Sequence, residues 1–205
     1  MTARHPADAF MVIRKTTLSF DAQAFETPRE LERWLQSNHE SKRELWVRIF
    51  KKASGAPTVT WNDCVVVAIA WGWIDGQKSA LDEISFLQRL TPRRARSNWS
   101  KRNCEHAERL LDEGRMQPSG LAHVEAARQD GRWANAYSGS AAMVIPDDFP
   151  EELRKNPAAK KFYATLDRRN LFAIYHRLQT AKRPETRTKR IAAMLADLAR
   201  GRAFH

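Results

Sequence analysis

A chain of 205 residues, 42% apolar and 29% charged, holds enough apolar material for a self-sufficient core, which excludes disorder throughout and any need for a disulfide or metal staple. Its formal charge of +11 and pI of about 10.1 favour polyanionic partners such as nucleic acid or anionic headgroups, although solubility alone also accounts for a basic chain. Cys64 and Cys104 are the only cysteines, no His pair has ligand spacing, and no apolar run reaches membrane-spanning length, so no metal, cofactor or transmembrane segment is expected. The first ten residues lack the apolar stretch of a secretion signal, which points to the cytoplasm.

In chain order, residues 1–9 read as a frayed tail, and the loose alternation from Phe10 to Phe25 suggests one or two short strands. Thr27-Pro28-Arg29-Glu30 is a capping box that opens a helix from Pro28 to about Asn38, with Leu31, Trp34 and Leu35 on one face. Glu44 to Lys52 has the two-residue period of a strand, with Leu45, Val47 and Ile49 on one side and Trp46, Arg48 and Phe50 on the other. A polar turn follows over residues 51–57. Thr60 then caps a helix with Asp63 at its positive end; Cys64 to Trp71 is apolar all round, as a central helix should be, and it ends near Gly72. Trp73-Ile74-Asp75-Gly76 reads as a strand entering a tight turn at Gly76, and Ser85–Leu90 as a strand broken by Thr91-Pro92.

Ser100 is the N-cap of a helix from Lys101 to about Glu113, buried along Leu110 and Leu111, with Gly114 beyond its end. Gln117-Pro118 opens another, carrying Leu121, Val124 and Ala127 inward and stopping at Gly131. Residues 135–146 are small and turn-rich, as a linker would be. Three or four helices follow: Asp147–Lys155, Pro157–Leu166, Arg168–Thr180, and Pro184–Ala199 with Ile191, Met194, Leu195 and Leu198 on one stripe. The pattern is α+β: a small, mostly antiparallel sheet with packed helices in a core of residues 10–134, followed by a helical C-terminal module of residues 146–205. No repeat occurs at a fixed period. From 146 onward 14 Lys or Arg face 7 Asp or Glu, so this module carries about +7.

The stretch from Trp71 to Asn103 is the most informative, with three tryptophans and seven basic residues in 33 positions. Arg93, Arg94, Arg96 and Lys101 would converge near the helix start at Ser100, where free amides and the positive dipole end favour phosphate or carboxylate. Trp73 or Trp99 would stack on a ligand, and Asp75 would stand in the site wall. The competing reading pairs these arginines with the chain's own acids, Asp75, Asp82, Glu83 and Glu105, and places the tryptophans in the core. No Ser, Cys or His nucleophile pattern accompanies Asp75, so no catalytic residue is assigned. Lys182, Arg183, Arg187, Lys189 and Arg190 crowd the start of the last helix against its dipole, which marks a basic contact surface.

Gly72-Trp73-Ile74-Asp75-Gly76, Thr91-Pro92-Arg93-Arg94, Trp99-Ser100-Lys101-Arg102-Asn103 and Ala181-Lys182-Arg183-Pro184-Glu185-Thr186-Arg187 carry a resemblance to a bacterial family. The chain resembles the YdeI/OmpD-associated family, also labelled bacteriocin-protection (OmdA-type), over nearly all of residues 25–203. The resemblance implies a link to envelope stress and antimicrobial-peptide resistance and makes the final 60 residues the family's C-terminal helical module; it brings no catalytic residues. Two readings follow. The first is a non-enzymatic resistance factor that binds an anionic partner, a phosphate-bearing small molecule or nucleic acid, through the Trp/Arg stretch. The alternative is an enzyme acting on a phosphorylated or carboxylated small molecule there. A binder should show an open basic surface with steep salt dependence, and an enzyme an enclosed pocket with a perturbed carboxylate.

Overall fold

The computed structural model describes residues 21–204, so the expected strands across Phe10–Phe25 lie outside it up to residue 20. Within those bounds the chain forms four strands, β1 (Ala22–Ala24), β2 (Leu45–Phe50), β3 (Trp73–Ala80) and β4 (Ser85–Pro92). Helices α1 (Pro28–Asn38), α2 (Trp61–Ala70), α3 (Lys101–Asp112) and α4 (Pro118–Gln129) accompany them. The tail holds α5 (Asp148–Arg154), α6 (Pro157–Tyr163), α7 (Arg168–Gln179) and α8 (Pro184–Ala199). The class is α+β, as expected. The sheet order is β1-β2-β4-β3, antiparallel across β2, β4 and β3 but parallel where Ala22 meets Trp46, so the sheet is mixed.

Local chemistry sets the helix starts. Thr27, Thr60, Ser100 and Asp167 each accept from the amide three residues on, and at Thr60 the Asp63 carboxylate returns the bond to complete a capping box. Gly76 behaves differently from the expectation. The strand continues through it to Ala80, with a β-bulge between Asp75 and Lys78 and the reversal delayed to residues 81–84. The buried side chain of Gln88 accounts for this: its Nε2 donates to the Gly76 carbonyl at 3.0 Å and to that of Arg89 at 3.2 Å.

Helix α2 is the hub. Cys64, Val67 and Ala68 pack towards the sheet and α1 with Leu31, Leu35, Val47, Trp73 and Leu90, while Val65, Val66, Ile69 and Ala70 pack towards α3 and α4 with Trp99, Ala107, Leu110, Val124 and Ala127. Its C-terminal carbonyls are met by other segments. The Gln117 amide donates to Ala70 at 3.1 Å, the Ser119 hydroxyl to Trp71 at 3.0 Å, and the Arg93 amide to Gly72 at 2.9 Å. Gly72, at φ +72°, makes the left-handed turn that ends the helix. Gly120 allows the contact with α4, since a Cβ there would lie 2.3 Å from the Ala70 oxygen and 2.6 Å from that of Ile69.

The tail has its own apolar centre of Phe149, Leu153, Ala159, Ile174, Leu178, Ile191, Met194 and Leu198. Arg187 and Arg190, expected on an open contact surface, instead hold it together. Arg187 grips Asp148 with Nε and Nη2 and donates Nη1 to the Leu178 carbonyl at 2.8 Å; Arg190 donates to Arg177 O at 2.7 Å and Thr180 Oγ1 at 2.9 Å. Helix periodicity turns these two positions towards α5 and α7, whereas Lys182 and Arg183 stay exposed. The 135–146 segment is tethered rather than loose. The Ser138 amide donates to Tyr175 Oη at 2.8 Å, and Arg168 Nη2 holds the carbonyls of Ser140 and Ala141.

Two outcomes follow from this packing. Gly120→Ala should cost about 1–3 kcal/mol in chemical denaturation, because backbone carbonyls cannot yield to the methyl. The Arg187 pairing holds the Asp148 carboxyl below its usual range, so its stabilisation is present above about pH 4 and lost as pH falls through the lowered value. Melting curves should show wild type losing more stability than Asp148→Asn between about pH 6 and about pH 3, across the ordinary carboxylate range at about pH 4.

Candidate functional site

The loop from Arg93 to Ser100 joins β4 to α3, and its backbone is fixed at consecutive carbonyls. Arg132 Nη1 donates to Ser97 O at 2.8 Å, Arg93 Nη1 to Asn98 O at 3.1 Å, and the Tyr137 amide to Trp99 O at 3.1 Å. A turn closed by the Ser97 amide on the Arg94 carbonyl, at 2.9 Å, presents Arg94 and Arg96 to solvent. Lys101 is exposed at the first position of α3. The side chains of Arg94, Arg96 and Lys101 make no hydrogen bond or ion pair among the described residues, although Arg96 lies near enough to Asp130 to help hold its carboxyl down, after the stronger effect of Arg132.

Arg93 is different from its neighbours. It is 4% exposed, and its guanidinium lies 4.0 Å from the centre of the Trp99 ring, which in turn meets Trp133 at 4.9 Å; Arg128 covers Trp133 at 4.9 Å. In this stack a pair of contacting rings is flanked by a cation at each end. Burial pulls Arg93 down to about 10, with Tyr137 and Asp75 opposing the shift, and among the described residues neither its Nη2 nor Trp99 Nε1 has a hydrogen-bond partner. The buried thiols of Cys64 and Cys104 are pushed up to about 12 and about 11, which keeps both protonated.

Of the residues singled out from sequence, Trp73 and Trp99 are core side chains, 1% and 2% exposed, and are closed to a stacking ligand. Trp73 donates Nε1 to His39 O at 3.2 Å and meets Trp34 edge-on. Ser100 caps α3 with its hydroxyl on the Asn103 amide at 3.2 Å, and the Lys101 amide is held by Tyr137 O at 2.9 Å, so the helix start is already satisfied at two amides. The expected Arg pairing with Asp75, Asp82, Glu83 or Glu105 does not form; Asp82 is held by Arg48. Asp75 accepts from Trp61 Nε1 at 3.2 Å, and burial raises its carboxyl above the usual range while Trp61 and Arg93 oppose the rise.

Sequence reasoning missed Trp61, Asn62 and Arg102. Arg102 places its guanidinium 5.2 Å from the Trp61 ring centre and donates Nη2 to Asn62 Oδ1 at 2.9 Å, which brings the starts of α2 and α3 together. The available signal was positional: a tryptophan directly after an N-cap lies in the first turn, where even an apolar helix reaches the surface. One cavity, of about 410 Å³, reaches this face: Lys101 lines it with Asn135, Ser138, Tyr175 and Gln179 at the joint with the tail. Among the described residues no group of His, Cys, Asp or Glu has the arrangement of a metal site, and no helix is long and apolar enough to cross a membrane.

Comparison with known families divides the chain. Residues 142–201 match the model described as Bacteriocin-protection, YdeI or OmpD-Associated, and residues 23–123 match a Domain of unknown function (DUF8412). The resemblance expected across residues 25–203 is therefore narrower: the Ala181–Arg187 words fall within the first model, but those around Gly72–Gly76 and Trp99–Asn103 fall within the second. Nothing among the curated proteins and nothing among the solved structures matches the chain.

The buried stack yields a stability prediction. Arg93→Ala should remove stacking and leave a void, whereas Arg93→Met fills the space and removes the unpartnered donor. Denaturant melts should place the methionine variant about 1–2 kcal/mol above the alanine variant.

Proposed function

Because residues 142–201 match the model described as Bacteriocin-protection, YdeI or OmpD-Associated, we propose that the protein is a non-enzymatic resistance-associated protein that binds an anionic partner on the face formed by Arg94, Arg96 and Lys101. One observation carries this reading. Arg94, on a loop held at three carbonyls, and Lys101 just beyond it are exposed and make no side-chain hydrogen bond or ion pair among the described residues, whereas Arg48, Arg89, Arg115 and Arg132 are engaged by Asp82, Glu44, Glu32 and Asp130. Unpaired cations in a chain of +11 can turn to phosphate without breaking an internal bond, and release counterions when they do. Phosphate-bearing molecules are the partner class that this chemistry fits best. Lys182 and Arg183 extend the basic surface of the tail.

The alternative, an enzyme for a phosphorylated or carboxylated small molecule, draws its support from Asp75, a half-buried carboxyl near Arg93 and Tyr137. Its Oδ2 is engaged by Trp61, which favours a positioning role over proton transfer.

Binding of heparin or polyphosphate, followed by thermal shift and titration across salt, tests the proposal. Arg94→Ala/Lys101→Ala should weaken binding about tenfold or more and flatten the log-log salt slope by about 1.5, with the melting temperature of the free protein unchanged. Salt-insensitive, saturable binding of one small anion that is lost in Asp75→Asn would favour the enzyme instead.

A further inference from the structure

We propose that this face takes single-stranded nucleic acid, one base of which stacks on Trp61. The inference rests on the anion-binding reading above and goes further by naming the partner. Trp61 is 39% exposed in a protein whose neighbouring Trp73 and Trp99 are buried almost completely, and it is held rigidly in that exposed position. Its Nε1 is tied to Asp75 Oδ2 at 3.2 Å. The Arg102 guanidinium stands 5.2 Å from its ring centre and is itself clamped by Asn62 Oδ1 at 2.9 Å and directed to His106 Nε2 at 3.4 Å. An aromatic ring fixed from behind, with part of its surface in water, contributes nothing further to the core; it is preorganised for a flat partner, which it can meet with little loss of side-chain freedom.

The surroundings select the class of that partner. Arg102, the residue after Lys101 on α3, sets a cation against the ring, and the Arg102–Asn62 bond brings the positive ends of α2 and α3 together beside it. The nearest acid on α2, Asp63, is occupied by the Thr60 amide and hydroxyl at 2.8 and 2.7 Å. A ring with a guanidinium against it, at two positive helix ends, fits a ligand in which planar groups alternate with phosphates. Bases are available for stacking in a single strand and hidden in a duplex, and aromatic platforms read them with little sequence preference.

The test uses the full chain and anisotropy of a short labelled oligothymidylate, compared with an abasic oligomer of the same length and phosphate count. Wild type should bind the base-bearing strand about 5–100-fold more tightly, the range expected for one stacked base. Trp61→Ala should abolish that preference and leave abasic affinity unchanged, and Trp61→Phe should keep part of it. Equal affinity of wild type for the two strands overturns the inference, as does a Trp61→Ala variant that loses both equally. Under either result, weaker binding of both strands by Arg94→Ala/Lys101→Ala leaves the anion-binding reading standing. No binding of either strand, with none of heparin or polyphosphate, removes both.

Discussion

The end of α2 governs the rest of the structure. A helix buried on both sides presents its last carbonyls to protein rather than to water, and each unsatisfied one would cost on the order of 1–3 kcal/mol. Here Ala70, Trp71 and Gly72 receive donors from Gln117, Ser119 and Arg93. The first two dock α4, which is why a glycine must stand at position 120; the third fixes the end of β4. The exposed cations thus hang from the most buried element of the protein, and their loop begins at one of its capping bonds.

Adjacent arginines have opposite fates because of that arrangement. Arg93 takes its amide to Gly72 and its guanidinium inward over Trp99, and the next residue leads the chain out into the turn. The ladder of Arg93, Trp99, Trp133 and Arg128 then replaces acid pairing as the means of accommodating a buried cation. Guanidinium suits this position, since it is planar and weakly hydrated, and a lysine would supply neither property.

Much of this could be read from the residues. Thr27, Thr60 and Ser100 announce their helices through side-chain caps, and the unbroken apolar run after Thr60 announces a central one, because both signals are local or periodic. The parallel pairing of β1, the bulge at Asp75 and the inward turn of Arg187 and Arg190 were not legible, since each depends on a partner distant in sequence: Trp46, Gln88, and Asp148 with Thr180. At the candidate site the basic loop was visible as composition. Which tryptophan faces solvent was signalled only by position: Trp61 directly follows the N-cap Thr60, whereas the burial of Trp73 and Trp99 depends on what packs over them.

The tethered joint before the tail has a mechanical consequence. Tyr137 receives the Lys101 amide and gives its own to Trp99, and the next residue, Ser138, reaches Tyr175 on α7; the Tyr137 ring also sits edge-on to His176 at 4.9 Å. Loop and tail helix are therefore links in one short chain of directional bonds, with little slack between them. Tilting α7 would drag the backbone that seats Lys101, and tension on the loop would be felt at Tyr175. The C-terminal helices act as a mechanical brace for the basic face.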